Sequence, residues 1–158
     1  MERVAIALGS NLGQRRAHLQ HAITLLRSDL SDMAVSDLDE TEPVGVEPQP
    51  RFLNGALTGY WNLDARSLLD RLLGIEQTRG RCRPHPDAPR TLDLDLILFG
   101  ARVIDEAGLV VPHPRFRERE FVLRPLAQIA PDMVDPTTGL TVGQLYQRWK
   151  EHHTCASR

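Results

Sequence analysis

The chain has 158 residues, 41% of them hydrophobic and 25% charged, with a formal net charge of −2; that is enough for one filled core and short for two. No apolar run reaches membrane-spanning length and no signal peptide is recognisable, so a cytoplasmic location and no membrane partner are expected. A charge this close to zero argues against a nucleic-acid partner, and Lys150, the one lysine among 19 basic residues, leaves no G-x-x-x-x-G-K-[ST] phosphate loop and a poor Schiff-base candidate.

Val4 to Leu8 is a short apolar run ending at Gly9-Ser10-Asn11, the pattern of a buried strand followed by a turn. The three-glycine spacing of a dinucleotide cradle is missing there, so a tight turn is the simpler reading. Leu12, Leu19, Ala22, Ile23, Leu26 and Leu30 recur at helical spacing and predict an amphipathic helix ending near Leu30. Met33 to Thr41 reads as a strand. Glu42 to Arg51, with three prolines and a glycine, reads as a long functional loop. From Phe52 to Trp61 the alternation puts Phe52, Asn54, Ala56, Thr58 and Tyr60 on one strand face and Leu53, Gly55, Leu57, Gly59 and Trp61 on the other.

Asp64 caps a second helix whose stripe is Leu68, Leu69, Leu72, Leu73 and Ile75, and Gly80 ends it. A loop from Arg81 to Pro89 leads into a strand, followed by an extended segment from Arg102 to Val111 that turns near Ala107-Gly108. Helical patterns return at Phe121 to Ile129 and Val142 to Trp149. This order predicts an α+β fold: a ferredoxin-like βαββαβ antiparallel sheet with two helices packed on one face, and a C-terminal helical extension. Residues 1–158 are read as a single domain with a polar tail from residue 151. Cys82 and Cys155 form no C-x-x-C pair and suit a reducing compartment.

The most informative run is Pro89 to Gly100. On a strand, Leu92, Leu94, Leu96 and Leu98 point one way while Asp93 and Asp95 share the other face, roughly 6 to 7 Å apart. A bare D-x-D in apolar alternation is ordinarily a half-buried strand with a solvated acidic face. Here Arg79, Arg81, Arg83 and Arg90 precede it, and guanidinium groups bind phosphate oxygens through paired hydrogen bonds. Carboxylates beside arginines describe a site for Mg²⁺ and a polyphosphate together.

Downstream, His113 lies between two prolines and is followed by Arg115, Arg117 and Arg119, a cluster that is either a solvated basic turn or a source of positive charge for a transferring group. Phe52 and Phe121 are either core residues or stacking surfaces for a flat heterocycle. Asn54 on an apolar strand needs hydrogen-bond partners, and a heterocycle edge offers them. Glu76 can pair with an arginine or meet a ligand.

Gly9-Ser10-Asn11, Thr41 to Gly45, Phe52-Leu53-Asn54, Ile75-Glu76, Gly80-Arg81-Cys82-Arg83, Pro89 to Asp95 and Val111-Pro112-His113 occur in this order over nearly the whole chain. Together they resemble the 6-hydroxymethyl-7,8-dihydropterin pyrophosphokinase family, folate-pathway enzymes that move the terminal pyrophosphoryl group of ATP onto a pterin alcohol. The resemblance implies that Asp93 and Asp95 hold two Mg²⁺ ions on the ATP phosphates, with Arg81 and Arg90 acting beside them in catalysis. It implies nucleotide contacts from Glu76, Arg83, Arg90, Leu96, His113 and Arg119. The pterin is expected between Phe52 and Phe121, with Thr41, Val44, Asn54 and Asp93 at its polar edge, and the arginine loop is expected to close over the substrates. The partners expected are therefore small molecules, ATP and the pterin alcohol, acting on a monomer. The loop Pro84 to Pro89 is shorter than in some members and lacks their tryptophan, Leu73 stands where some carry a polar residue, and Pro114 replaces an aromatic.

Two other readings compete. His113 with Asp93 and Asp95 could hold Zn²⁺ or Mn²⁺ in a hydrolase. An RNA-binding module would predict an RNP-type aromatic motif, which the sequence lacks.

Overall fold

The computed structural model describes residues 1–41, 51–80 and 91–156. The expected loop from Glu42 to Arg51 except for Arg51 itself, the whole expected loop from Arg81 to Pro89, and Arg90 lie outside the described residues, and with them Val44, Arg81, Cys82 and Arg83, as does the side chain of Cys155.

The chain runs β1 (Glu2–Ser10), α1 (Arg15–Asp29), β2 (Ser31–Val35), β3 (Asp39–Thr41), β4 (Phe52–Trp61), α2 (Ala65–Thr78), β5 (Asp93–Phe99), β6 (Ile104–Glu106), β7 (Leu109–Val111), a 3₁₀ turn (Phe116–Glu118), α3 (Glu120–Ile129) and α4 (Val142–Ala156). Strands β2-β4-β1-β5 form an antiparallel sheet in that order, β3 also pairs with β4, and β6 and β7 make a separate hairpin turning at Ala107-Gly108. The architecture is α+β with four α-helices. Among the described residues no helix is long and apolar enough to cross a membrane.

Alternation along the strands feeds two cores. Val4, Ile6, Leu8, Leu53 and Leu57 turn to the face covered by α1 and α2, while Ala5, Ala7 and Ala56 turn to the face covered by the 3₁₀ turn, α3 and α4. The C-terminal helices thus form a second layer of their own. The Asp64 side chain accepts the Ser67 N–H at 2.9 Å, as a capping residue should.

Several sequence expectations need correction. Leu12 lies in the turn before α1 and is exposed, because the helix begins only at Arg15. Leu73 is also exposed, since the buried face of α2 is set by Leu68, Leu72, Ile75 and Glu76. The expected strand from Met33 to Thr41 is two strands. Between them the Ser36 hydroxyl takes the Ala56 N–H at 2.8 Å, replacing a ladder bond, and Leu38 folds over Gly55, where a Cβ would meet Leu38 Cδ2 at 2.5 Å. Finally, Leu98 does not share a face with Leu92, Leu94 and Leu96. The register against β1 slips between Ala5 and Ile6, which pair with Leu98 and Leu96, so Ile97 is bulged. Ile97 and Leu98 both enter the second core, and Phe99 returns to the first.

Candidate active site

The floor of the site follows from strand register. Asn54, Gly9 and Asp93 form one row across β4, β1 and β5, and Ala56, Ala7 and Asp95 form the next. All six belong to the face that α3 and α4 cover. Neighbouring strands are about 4.8 Å apart, which puts Asn54 and Asp93 on opposite sides of a shallow bed about 10 Å wide. Glycine and alanine in the middle strand put nothing larger than a methyl between the two sides, and Ala7 and Ala56 themselves are buried in the second core.

At its β4 side, Thr41 Oγ1 donates to Asn54 Oδ1, which leaves the Asn54 amide nitrogen for other acceptors. A Cβ on Gly9 would lie 3.0 Å from that nitrogen and 3.5 Å from the Phe52 ring. Thr41, Phe52 and Asn54 are therefore brought together beside Gly9. Gly9 and Ala7 were not foreseen as site residues. Gly9 had been assigned to a turn, yet it continues β1, and the signal available was its place opposite Asn54 in an antiparallel pairing.

On the β5 side, Asp93 and Asp95 are both half-buried and share one strand face. Glu76 is 2% exposed, and its Oε2 accepts the Leu94 N–H at 2.7 Å, between the two aspartates. Leu96, expected among the nucleotide contacts, has its side chain in the α1/α2 core and is not brought together with the aspartates.

The third wall is the segment after β7. The His113 N–H donates to Ile97 O at 2.9 Å, and its Nδ1 accepts the Arg115 N–H at 3.2 Å, so the neutral ring carries its proton on Nε2. Burial pushes the His113 imidazole down to about 4, helped by Arg119 and opposed by Asp93. The ring is a neutral hydrogen-bond donor at pH 7. Arg119 lies 5.5 Å from the centre of the half-buried Phe121 ring, a cation–π contact. Arg117, grouped with Arg115 and Arg119 in the sequence, points elsewhere: its guanidinium is bonded to the buried Asp135.

Two oxygen-donor side chains on one strand face suit Mg²⁺, which takes one or two protein carboxylates and fills its octahedron with water and phosphate oxygens. Among the described residues no three His, Cys, Asp or Glu side chains are grouped to hold one ion. His113 therefore does not complete a hydrolase-type triad with Asp93 and Asp95; its Nδ1 lone pair is already taken by a backbone N–H.

A family profile for 7,8-dihydro-6-hydroxymethylpterin-pyrophosphokinase matches residues 5–131. The chain is 43% identical over 145 residues to a Synechocystis protein named 2-amino-4-hydroxy-6-hydroxymethyldihydropteridine pyrophosphokinase, covering 90% of this chain and 74% of that one. A Bacillus subtilis protein of the same name is 42% identical over 149 residues, covering 92% and 89%. The solved structure of Plasmodium falciparum HPPK-DHPS superposes on 96% of this chain with a TM-score of 0.72 at 15% identity, a likeness of fold; the chain spans 46% of that longer one.

Proposed function

The chain belongs to the 7,8-dihydro-6-hydroxymethylpterin-pyrophosphokinase family, so its reaction is pyrophosphoryl transfer from ATP to 6-hydroxymethyl-7,8-dihydropterin in folate biosynthesis, and we propose that Asp93 and Asp95 hold two Mg²⁺ ions for it. The observation that carries this assignment is the pair of rows on the sheet: a polar amide at one side, two carboxyl groups at the other and nothing larger than a methyl between them.

The pterin ring lies between Phe52 and Phe121, with its polar edge read by Asn54, Thr41 and Val44. Its hydroxymethyl group then reaches toward Asp93. The His113 Nε2–H and the Arg119 guanidinium donate to phosphate oxygens, and Arg81, Arg83 and Arg90 supply further charge. When bound, Mg²⁺ neutralises charge on the phosphates and makes a nearby hydroxyl easier to deprotonate. The pterin oxygen attacks the β-phosphorus, the bond from that phosphorus to the oxygen bridging it to the α-phosphate breaks, AMP departs with that oxygen, and the hydroxyl proton passes to solvent. Glu76 holds β5 at Leu94, and any contact of Leu96 with the nucleotide comes from its backbone on the open edge of the same strand. We read the sheet as ferredoxin-like, supported by its strand order and by α1 and α2 on one face, with residues 116–156 as the C-terminal extension. The working unit is a cytoplasmic monomer.

The test is an assay of AMP formation from ATP and the pterin alcohol with and without Mg²⁺. Wild-type protein should form AMP only with both the metal and the alcohol present. Asp95→Ala should lose at least ~1000-fold in rate, about 4 kcal/mol of transition-state stabilisation, with an unchanged circular dichroism spectrum. A variant that keeps most of its turnover would remove Asp95 from the metal site.

A further inference from the structure

Arg117 sits in the middle of the cationic segment, but its guanidinium is engaged by Asp135. Its Nε donates to Asp135 Oδ2 at 2.6 Å and its Nη2 to Oδ1 at 2.9 Å, a bidentate pair. Asp135 has no exposed surface at all. Its carboxyl also accepts the Thr138 hydroxyl at 2.7 Å and the Thr137 N–H at 3.1 Å, and its backbone closes the turn through Leu140 O and the Gly139 N–H, both at 2.8 Å.

The 3₁₀ turn that carries Arg117 spans only Phe116–Glu118, too short to hold its own orientation. Three tertiary anchors do so instead: the His113 N–H on Ile97 O, the wholly buried Phe116 ring, and the Asp135 carboxyl. His113, whose ring feels the charges of both Asp93 and Arg119, and Arg119 itself flank along the chain Phe116 and Arg117, the residues of the last two anchors.

We propose that Asp135 and Arg117 form a buried strut that positions His113 and Arg119 for the polyphosphate of ATP, and that Arg117 itself makes no contact with the nucleotide. The proposal rests on the reading of this site as an ATP site. Drawing the Arg117 guanidinium toward a phosphate would strand a fully buried carboxyl without its counter-charge, a strongly destabilising state. Arg117 is thus a positioning residue, although the sequence places it in line with the phosphate-facing arginines.

The experiment measures binding of Mg²⁺ with a non-hydrolysable α,β-methylene ATP analogue by calorimetry, then binding of the pterin at saturating analogue. The proteins are wild type, Asp135→Asn, Arg117→Gln and the double variant, each with its thermal midpoint. Each single variant should weaken the analogue about ten-fold and leave the pterin within about two-fold, and the double variant should be no worse than either single, because the two side chains act as one unit. If Asp135→Asn leaves analogue binding unchanged or tighter while Arg117→Gln weakens it, Arg117 is itself a phosphate ligand and the proposal is overturned. Equal losses for both ligands, or a lower thermal midpoint with unchanged binding, would reduce the pair to a structural brace and overturn it as well. Wild-type protein that fails to bind the analogue would overturn the ATP-site reading and the proposal with it.

Discussion

A methyl group at position 9 would press on the Asn54 amide at 3.0 Å and come into ordinary contact with the Phe52 ring at 3.5 Å, so the absent side chain is what lets the Asn54 amide lie this close to β1. Gly9→Val should push that amide off the bed. Pterin affinity should fall by more than about ten-fold, the equivalent of ~1.4 kcal/mol, while affinity for an ATP analogue stays level. Fluorescence titration with each ligand decides it: equal binding of pterin by the variant would move the pterin elsewhere. This role was hidden in the sequence because glycine is ordinarily read for its backbone freedom, whereas Gly9 has no positive φ and works by taking up no room. The arginines illustrate the opposite case. Arg115, Arg117 and Arg119 look equivalent in a row, and only a buried aspartate 18 residues downstream separates the middle one from its neighbours.

At the scale of elements, β4 was legible to the residue, because a strand buried on both faces with small and large residues alternating has one consistent reading. The β6–β7 hairpin was equally plain from Gly108, whose φ of 73° is what its turn requires. The bulge at Ile97 was not, since a run of four apolar residues from Leu96 to Phe99 fits either face and only the partner strand sets the register. Glu76 could have been placed: it follows Leu68 and Leu72 at intervals of four, on the buried face of α2. Its partner could not, because β5 is an edge strand whose outward N–H at Leu94 would otherwise lack a sheet neighbour. Replacing Glu76 with leucine should therefore leave a buried donor unpaired and lower stability by ~1–3 kcal/mol, whereas Glu76→Gln keeps an acceptor and should cost less. Urea unfolding of the two variants tests this, and a leucine variant as stable as wild type would mean that the contact contributes nothing.

Over the whole molecule, the site depends on both layers of the fold. Its floor is the middle of the sheet, and its wall of His113 and Arg119 is fixed by the second core, in which the C-terminal third of the chain packs on β1, β4 and β5. The order of elements was readable from periodicity, but which face the last two helices would cover was not, because both sheet faces of β1 are apolar. This layering makes stability depend on acidity in a definite direction. His113 is held at about 4 by burial and by Arg119, against 6.5 for the free side chain, and His18 is also lowered, by burial and by Arg79. Between pH 6.5 and 4 the unfolded chain binds protons that the folded one refuses, so the stabilisation present above 6.5 is lost as pH falls through this window. Asp135 adds a loss below the ordinary carboxylate range: burial raises its carboxyl, but the bonds from Arg117, Thr138 and Thr137 outweigh it and hold it down. The thermal midpoint should thus decline steadily from pH 7 to 4 and then continue to fall. A glutamine at position 113 has no proton to take up, so His113→Gln should flatten the upper part of that decline, with His18 supplying what slope remains. Asp135→Asn should flatten only the lower part. A midpoint that is level from pH 7 to 4.5 in the wild type, or an equal slope in His113→Gln, would show that the imidazole is not shielded from water and that the wall of the site stands open.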